Sequence, residues 1–173
     1  ILAGGTLASA KIVLDSGHAD GGRAETLGGL MDNRQVLMPF VTWSRLGAPW
    51  EPETYQYHQL AFGLEGATAA DYVHGLVTTL KTALIHPVVQ SLPLGLGGAT
   101  QLFRGLRGAL GLVNINFADH RRSTNTVTIE PAESGATRLL IDYSPEPREA
   151  ERIQRATTIF RKVLSRLGAY APP

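Results

Sequence analysis

Residues 109–118 alternate with a period of two: Val113, Ile115 and Phe117 fall on one side, Asn114 and Asn116 on the other. Such alternation is the mark of a strand with one buried face, because successive side chains of a strand point to opposite sides. Two further strand-like runs, 125–130 and 137–143, are joined by Glu133-Ser134-Gly135-Ala136, a good hairpin turn. Residues 35–43 are rich in strand formers but interrupted by Pro39, which predicts an edge strand or a bulge. Residues 54–64 form another strand candidate. Hairpin-linked strands with helical segments between them predict an α+β fold, an antiparallel sheet flanked by helices.

The helical segments are read from their apolar spacing. Leu7, Ala10 and Leu14 with Ala8 and Ile12 give a weak face for a first helix, with Gly17 as its C-cap. A Gly-rich connector runs over 17–29. In residues 69–84, Tyr72, Val73, Leu76, Val77, Leu80 and Leu84 share one helical face. Thr68 or Asp71 would cap that helix, and Pro87 would follow its end. Residues 92–108 contain five Gly and read as a loop or lid. The last segment, 147–167, is an amphipathic helix with Ile153, Ala156, Phe160, Val163, Leu164 and Leu167 inward, stopped by Gly168.

Composition narrows the function. Sixteen Lys and Arg nearly cancel fifteen Asp and Glu, so no field is set up to steer nucleic acid. Zero Cys excludes disulfides, zinc-thiolate sites and a thiol nucleophile, and favours a reducing, cytoplasmic setting. No apolar run reaches the roughly 20 residues of a membrane span. The five His show no metal-ligand spacing, so no metal site is expected. His74 and His86 read as structural. Asn114, Asn116, Asp119 and His120 read as an ordinary exposed strand face, with a polar cluster at a strand end as the alternative.

Several segments carry a resemblance. Ala3-Gly4-Gly5-Thr6-Leu7-Ala8-Ser9 through Asp15-Ser16-Gly17 resembles a signature of the glucose-methanol-choline family of flavoprotein oxidoreductases, departing from it at Ala10 and at His18-Ala19. Leu27-Gly28-Gly29-Leu30-Met31-Asp32-Asn33 is similar to a short segment of that family, with Asn33 where His is usual. The runs beginning Asn125-Thr126-Val127 and ending Asp142-Tyr143, and the helix ending Leu167-Gly168-Ala169, resemble its closing strands and helix. Gln56-Tyr57-His58-Gln59-Leu60-Ala61-Phe62 is similar to a strand of the pyranose 2-oxidase branch that faces the substrate, with Leu60 in place of Asp.

The resemblance implies an internal portion of a larger FAD-dependent enzyme. Residues 1–30 would close a Rossmann-like FAD-binding domain, as a terminal strand and helix. Residues 31–173 would form the substrate-binding domain. Ala3, Gly4, Gly5 and Thr6 would touch the cofactor. Gln56, His58, Leu60 and Phe62 would line the substrate, with 63–67 as a loop that opens and closes. The implied reaction oxidises a secondary alcohol of a sugar or glycoside by hydride transfer to flavin, with oxygen or another acceptor taking the electrons. The loss of the family's Asp at Leu60 leaves room for a glycoside with an apolar aglycone. The catalytic His is expected outside this chain, among the remaining segments of the same enzyme, and a homo-oligomer is compatible with the pattern. The competing expectation is a ligand-binding or assembly module built on an antiparallel sheet, without cofactor.

Overall fold

The computed structural model of the chain describes residues 3–19, 26–50, 57–68, 71–79, 89–90, 92–132 and 136–173. In chain order its elements are α1 (Thr6–Ala19), β1 (Thr26–Gly28), β2 (Arg34–Thr42), β3 (Tyr57–Leu64), β4 (Val73–Thr79), α2 (Leu96–Leu106), β5 (Leu110–Phe117), β6 (Thr126–Pro131), β7 (Thr137–Asp142), α3 (Glu149–Arg166) and β8 (Ala169–Tyr170). The fold is α+β with two antiparallel sheets and, among the described residues, three α-helices. The chain divides into two compact units. One holds Ile1–Asp32 and Asp119–Pro147, the other Asn33–Ala118 and Arg148–Pro173. The first break falls two residues past the expected boundary at 30. The segment Asp119–Pro147 falls in the same compact unit as the N-terminal helix.

The first unit is a three-stranded sheet in the order β1-β6-β7 with α1 packed beside it. Leu14 of α1 and Val127 of β6 are its buried apolar side chains. Helix α1 runs two residues past the expected cap at Gly17, and Leu7 and Ile12 stay exposed. A polar knot fastens the helix to the sheet: Lys11 reaches Asp15 at 2.6 Å and also Thr137 on β7, whose hydroxyl donates to Asp15. The hairpin β6–β7 is closed by the Ala132 amide on the Ala136 carbonyl at 2.8 Å. Residues 133–135 of the predicted turn lie outside the described residues.

The second unit is a five-stranded antiparallel sheet in the order β3-β4-β5-β2-β8. Strand β2 meets β8 only at Val41 and Thr42, so Pro39 sits on a stretch of β2 whose outer side is an edge, as its missing N–H requires. One face of the sheet is covered by α3. Ala156, Phe160 and Leu164, spaced four apart, are buried against Met38, Val73, Val113, Ile115 and Phe117. At about 1.5–3 kcal/mol per fully buried large apolar side chain, this face is the main source of the unit's stability. Glu149 and Glu151 lie in the first turn of α3, where the helix dipole favours acids, and Gly168 lies just past its end.

Two elements differ from the sequence expectation. Residues 73–79 form strand β4 rather than the middle of a helix. Strand β4 lies between β3 and β5, so both edges are satisfied, and the spacing of Val73, Leu76 and Val77 serves two sheet faces instead of one helical face. Thr68 and Asp71, expected to cap that helix, close the β3–β4 connection instead: the Thr68 amide and hydroxyl donate to Asp71 Oδ2 at 3.1 and 2.8 Å. Residues 96–106 form helix α2 rather than a lid. Burial of Ala99 and Phe103, four residues apart, against Val89, Leu92, Leu110 and Leu112 offsets the cost of its internal glycines, about 0.5–1 kcal/mol each.

Gly75 is where a side chain of α3 comes up against a glycine of the sheet. A Cβ there would stand 2.8 Å from Val113 Cγ1 and 2.9 Å from Phe160 Cε1, and both of those side chains are fully buried. Gly75→Ala should therefore lower the unfolding free energy by about 1–3 kcal/mol through overpacking. Chemical denaturation reads this as a lower midpoint at unchanged m-value. An unchanged midpoint would show that the Phe160 ring can withdraw without loss.

Candidate functional site

Sheet register decides which side chains of the second unit share a face. Val113, Ile115 and Phe117 point toward α3, so Asn114 and Asn116 point the other way. Following the pairings outward from Asn116 gives one row across four strands: Gly63, His74, Asn116 and Gln35. The next row is Ala61, Leu76, Asn114 and Leu37, and the one after includes Thr78, Leu112 and Pro39. Helix α2 packs over Leu110 and Leu112 at one end of this face. At the other end Gln35 is exposed and Leu37 keeps 58% of its surface in solvent.

The first row is a polar strip. Gln35 Nε2 donates to Asn116 Oδ1 at 3.4 Å, and Asn116 Nδ2 donates to the Asn114 carbonyl at 3.2 Å. The His74 ring stacks on Tyr72 with centroids 6.2 Å apart. Tyr72 in turn lies across Gly63, where a Cβ would meet the phenolic oxygen at 2.4 Å. Asn114 Oδ1 is buried and has no hydrogen-bond partner among the described residues. The strip thus holds two carboxamides and an imidazole, beside a row in which Leu76 and Leu37 flank Asn114. Amide and imidazole groups both donate and accept, the requirement for holding hydroxyl groups.

The expected site residues fall in different places. Gln56 lies outside the described residues. His58 lies in β3 where the register with β4 shifts between Tyr57 and Leu60, and its side chain is outside the described part. Leu60 and Phe62 are paired with Val77 and Gly75, on the face that α3 covers. The Phe62 ring packs on Phe160 at 6.0 Å, so the ring expected to cover a sugar is taken up by the core. Residues 63 and 64 of the expected mobile loop are the end of β3. His74, expected on a helix as a structural residue, stands on β4 in the polar strip. Gln35 was absent from the expectation. Its signal was available, because antiparallel pairing of 35–42 with the alternating run at 110–117 places Gln35 beside Asn116.

Ala3, Gly4, Gly5 and Thr6 form the turn into α1. Gly5 has φ +79°, and nothing lies within 4 Å of where its Cβ would be. The Ser9 amide donates to the Gly5 carbonyl at 3.0 Å, which leaves the preceding first-turn amides without intrahelical acceptors.

Asp119 and His120 serve the first unit's architecture. The Asp119 side chain, 6% exposed, receives the Asp32 amide at 3.0 Å, the His120 amide at 2.8 Å, the Tyr143 hydroxyl at 3.0 Å and Arg122 Nη2 at 2.9 Å. Burial pushes its carboxyl up, but the Asp32 amide, the Tyr143 hydroxyl, the His120 amide and the Arg122 charge outweigh that and hold it below the usual value. Tyr143 is pushed above the usual phenol range by burial and by its bond to Asp119. Buried Asn125 completes the clamp: its side chain donates to the Leu30 and Ser144 carbonyls and accepts the Ser144 amide at 3.1 Å. Among the described residues no three His, Asp or Glu side chains gather as a metal site, and no helix is long and apolar enough to cross a membrane.

The sequence matches no family model and no curated protein.

Because the folded Asp119 has the lower pKa, its contribution is present above the unfolded carboxyl value of about 3.9 and is lost as pH falls through the folded one. Unfolding free energy measured across a pH series should fall more steeply below about pH 4 for the unmodified protein than for Asp119→Asn. The variant should be the less stable of the two at neutral pH. Parallel curves would remove Asp119 from the acid response.

Proposed function

We propose that this chain belongs to an FAD-dependent oxidoreductase of the glucose-methanol-choline type, and that it supplies the surface that binds a sugar or glycoside. The observation that carries the reading is the strip Gln35, Asn116 and His74 on the sheet face away from α3. A neutral ligand rich in hydroxyls suits a strip of carboxamides and an imidazole. The adjoining Leu37 and Leu76 suit the apolar C–H face of a sugar ring or an apolar aglycone. The segmental resemblance supports the same reading, since its expected antiparallel sheet and closing helix agree in type with β6, β7 and α3. Gln56 and His58 enter the substrate surface through that resemblance alone.

The turn at Ala3, Gly4, Gly5 and Thr6 fits a cofactor contact. The space beside Gly5 is open, and the first-turn amides of α1 can donate to polar atoms of FAD. Bound flavin would accept the hydride from the alcohol carbon. The residues of this chain would hold and orient the hydroxyl-bearing ring, and the proton acceptor would come from elsewhere in the enzyme. Oxygen or another acceptor would reoxidise the flavin. The setting in this reading is cytoplasmic.

Protein produced natively should be yellow and release flavin on denaturation. Its visible band should bleach when a suitable sugar or glycoside is added without oxygen. Asn116→Ala and His74→Ala should each raise KM, or lower kcat/KM, by roughly tenfold, the effect of losing one good hydrogen bond to substrate. Colourless, stably folded protein would end the flavoenzyme reading. Yellow protein with unchanged kinetics in both variants would move the substrate off this face.

A further inference from the structure

A second feature of the five-stranded unit lies at the opposite end of its strands, about six residues from Asn116 and so about 20 Å away. It is a cavity of about 450 Å³ between the 45–50 segment and the turn that leads from α2 into β5. Arg107, at the C-cap of α2, lays its guanidinium over the Trp50 ring at 4.0 Å. Arg45 lines the same space from the 45–50 segment, and Thr42 and Thr79 are among the remaining lining residues. Among the described lining residues there is no Asp or Glu. Arg107 Nε is buried and has no hydrogen-bond partner among the described residues.

A guanidinium stacked face-down on an indole still directs its N–H groups outward in its own plane. Those donors cannot be satisfied by the ring. An oxyanion entering the cavity can meet the two terminal nitrogens of the guanidinium end-on with parallel hydrogen bonds. Arg45 adds a second positive charge. The two walls are tied and closely packed: the Thr42 amide donates to the Ala109 carbonyl at 2.8 Å, and a Cβ at Gly108 would strike the Ala48 carbonyl at 2.7 Å. Phe40, Pro49 and Leu110 supply apolar wall. The volume falls within the range of small-molecule sites.

We propose that this cavity binds a small organic oxyanion, a carboxylate or phosphate carried on a compact apolar body, with Arg107 as the bidentate donor and Arg45 as the second positive charge. The site is independent of the flavin reading.

The test uses protein carrying Trp43→Phe, which leaves Trp50 as the reporter because the chain has two Trp. Inorganic phosphate, acetate and benzoate are titrated at constant ionic strength against chloride, with tryptophan fluorescence and calorimetry as readouts. A saturable response to phosphate alone assigns the head group as phosphate. A response to acetate, stronger for benzoate, assigns it as carboxylate on an apolar body. Arg107→Gln should weaken binding by roughly tenfold or more, and Arg107→Lys should recover only part, because an ammonium lacks the planar fork. Arg45→Gln should weaken it less. Far-ultraviolet circular dichroism and melting temperature establish that each variant is folded, and Arg45→Gln keeps the proposal testable if Arg107→Gln is not. No saturable response to any of the three anions beyond chloride overturns the proposal. Equal affinity in folded Arg107→Gln overturns it as well.

Discussion

The contact between α3 and the five-stranded sheet, closed at Gly75, decides the chemistry of everything on the sheet's other side. Phe160 can sit this close to β4 only because position 75 carries no side chain. Once Val113, Ile115 and Phe117 are committed to that helix, period two commits Asn114 and Asn116 to the opposite face. A one-residue slip of β5 would drive both carboxamides into the Phe160 core and strand three large apolar side chains outside. Desolvating each unpartnered amide costs about 1–3 kcal/mol in protein settings, so the apolar core enforces the polar strip. Stability and the candidate ligand surface are therefore two sides of one register.

The same argument explains how much of the fold was legible. Strand β5 could be read because one of its faces is dry and the other polar. Helix α3 could be read for the equivalent reason, with Ala156, Phe160 and Leu164 recurring every four residues. Strand β4 could not. Its register puts Val73 and Val77 on the α3 side and Leu76 on the other, so apolar residues appear on both of its faces and imitate a helical stripe. Helix α2 was hidden by its glycines, because what sustains it is burial of Ala99 and Phe103 against residues elsewhere in the chain. Local propensity loses to tertiary burial in both cases.

Of the expected site residues, Leu60 and Phe62 could not be placed on a sheet face from the sequence. The expected carboxamide and imidazole, Gln56 and His58, lie outside the described side chains, and the polar strip on β2, β4 and β5 is a separate grouping. Strand β3 fails as the ligand strand from Leu60 onward because its register matches Leu60 and Phe62 to Val77 and Gly75, on the helix side. No period in a single segment can reveal this, since facing is fixed by the partner strand. Asp119 and His120 illustrate the converse. Their polarity was visible, but four donors converge on Asp119 from residues 32, 120, 122 and 143, contacts that bring distant segments into one unit.

Net charge is a poor guide to local charge in this chain. The formal total is +1, and the acids and bases appear balanced along the sequence. In space they are distributed unevenly. Lys11, Arg34, Arg122 and Arg138 each meet a carboxylate, so their charges are compensated within their own units. Arg107 meets an indole instead. An indole face attracts a cation through its quadrupole but removes none of its charge and accepts none of its N–H donors. Among the described residues no carboxylate lines the cavity at Arg107 and Arg45, while the strip at Gln35, His74 and Asn116 offers hydrogen bonds. Two ends of one sheet thus present different chemistry, cationic side chains at the first and neutral hydrogen-bonding groups at the second.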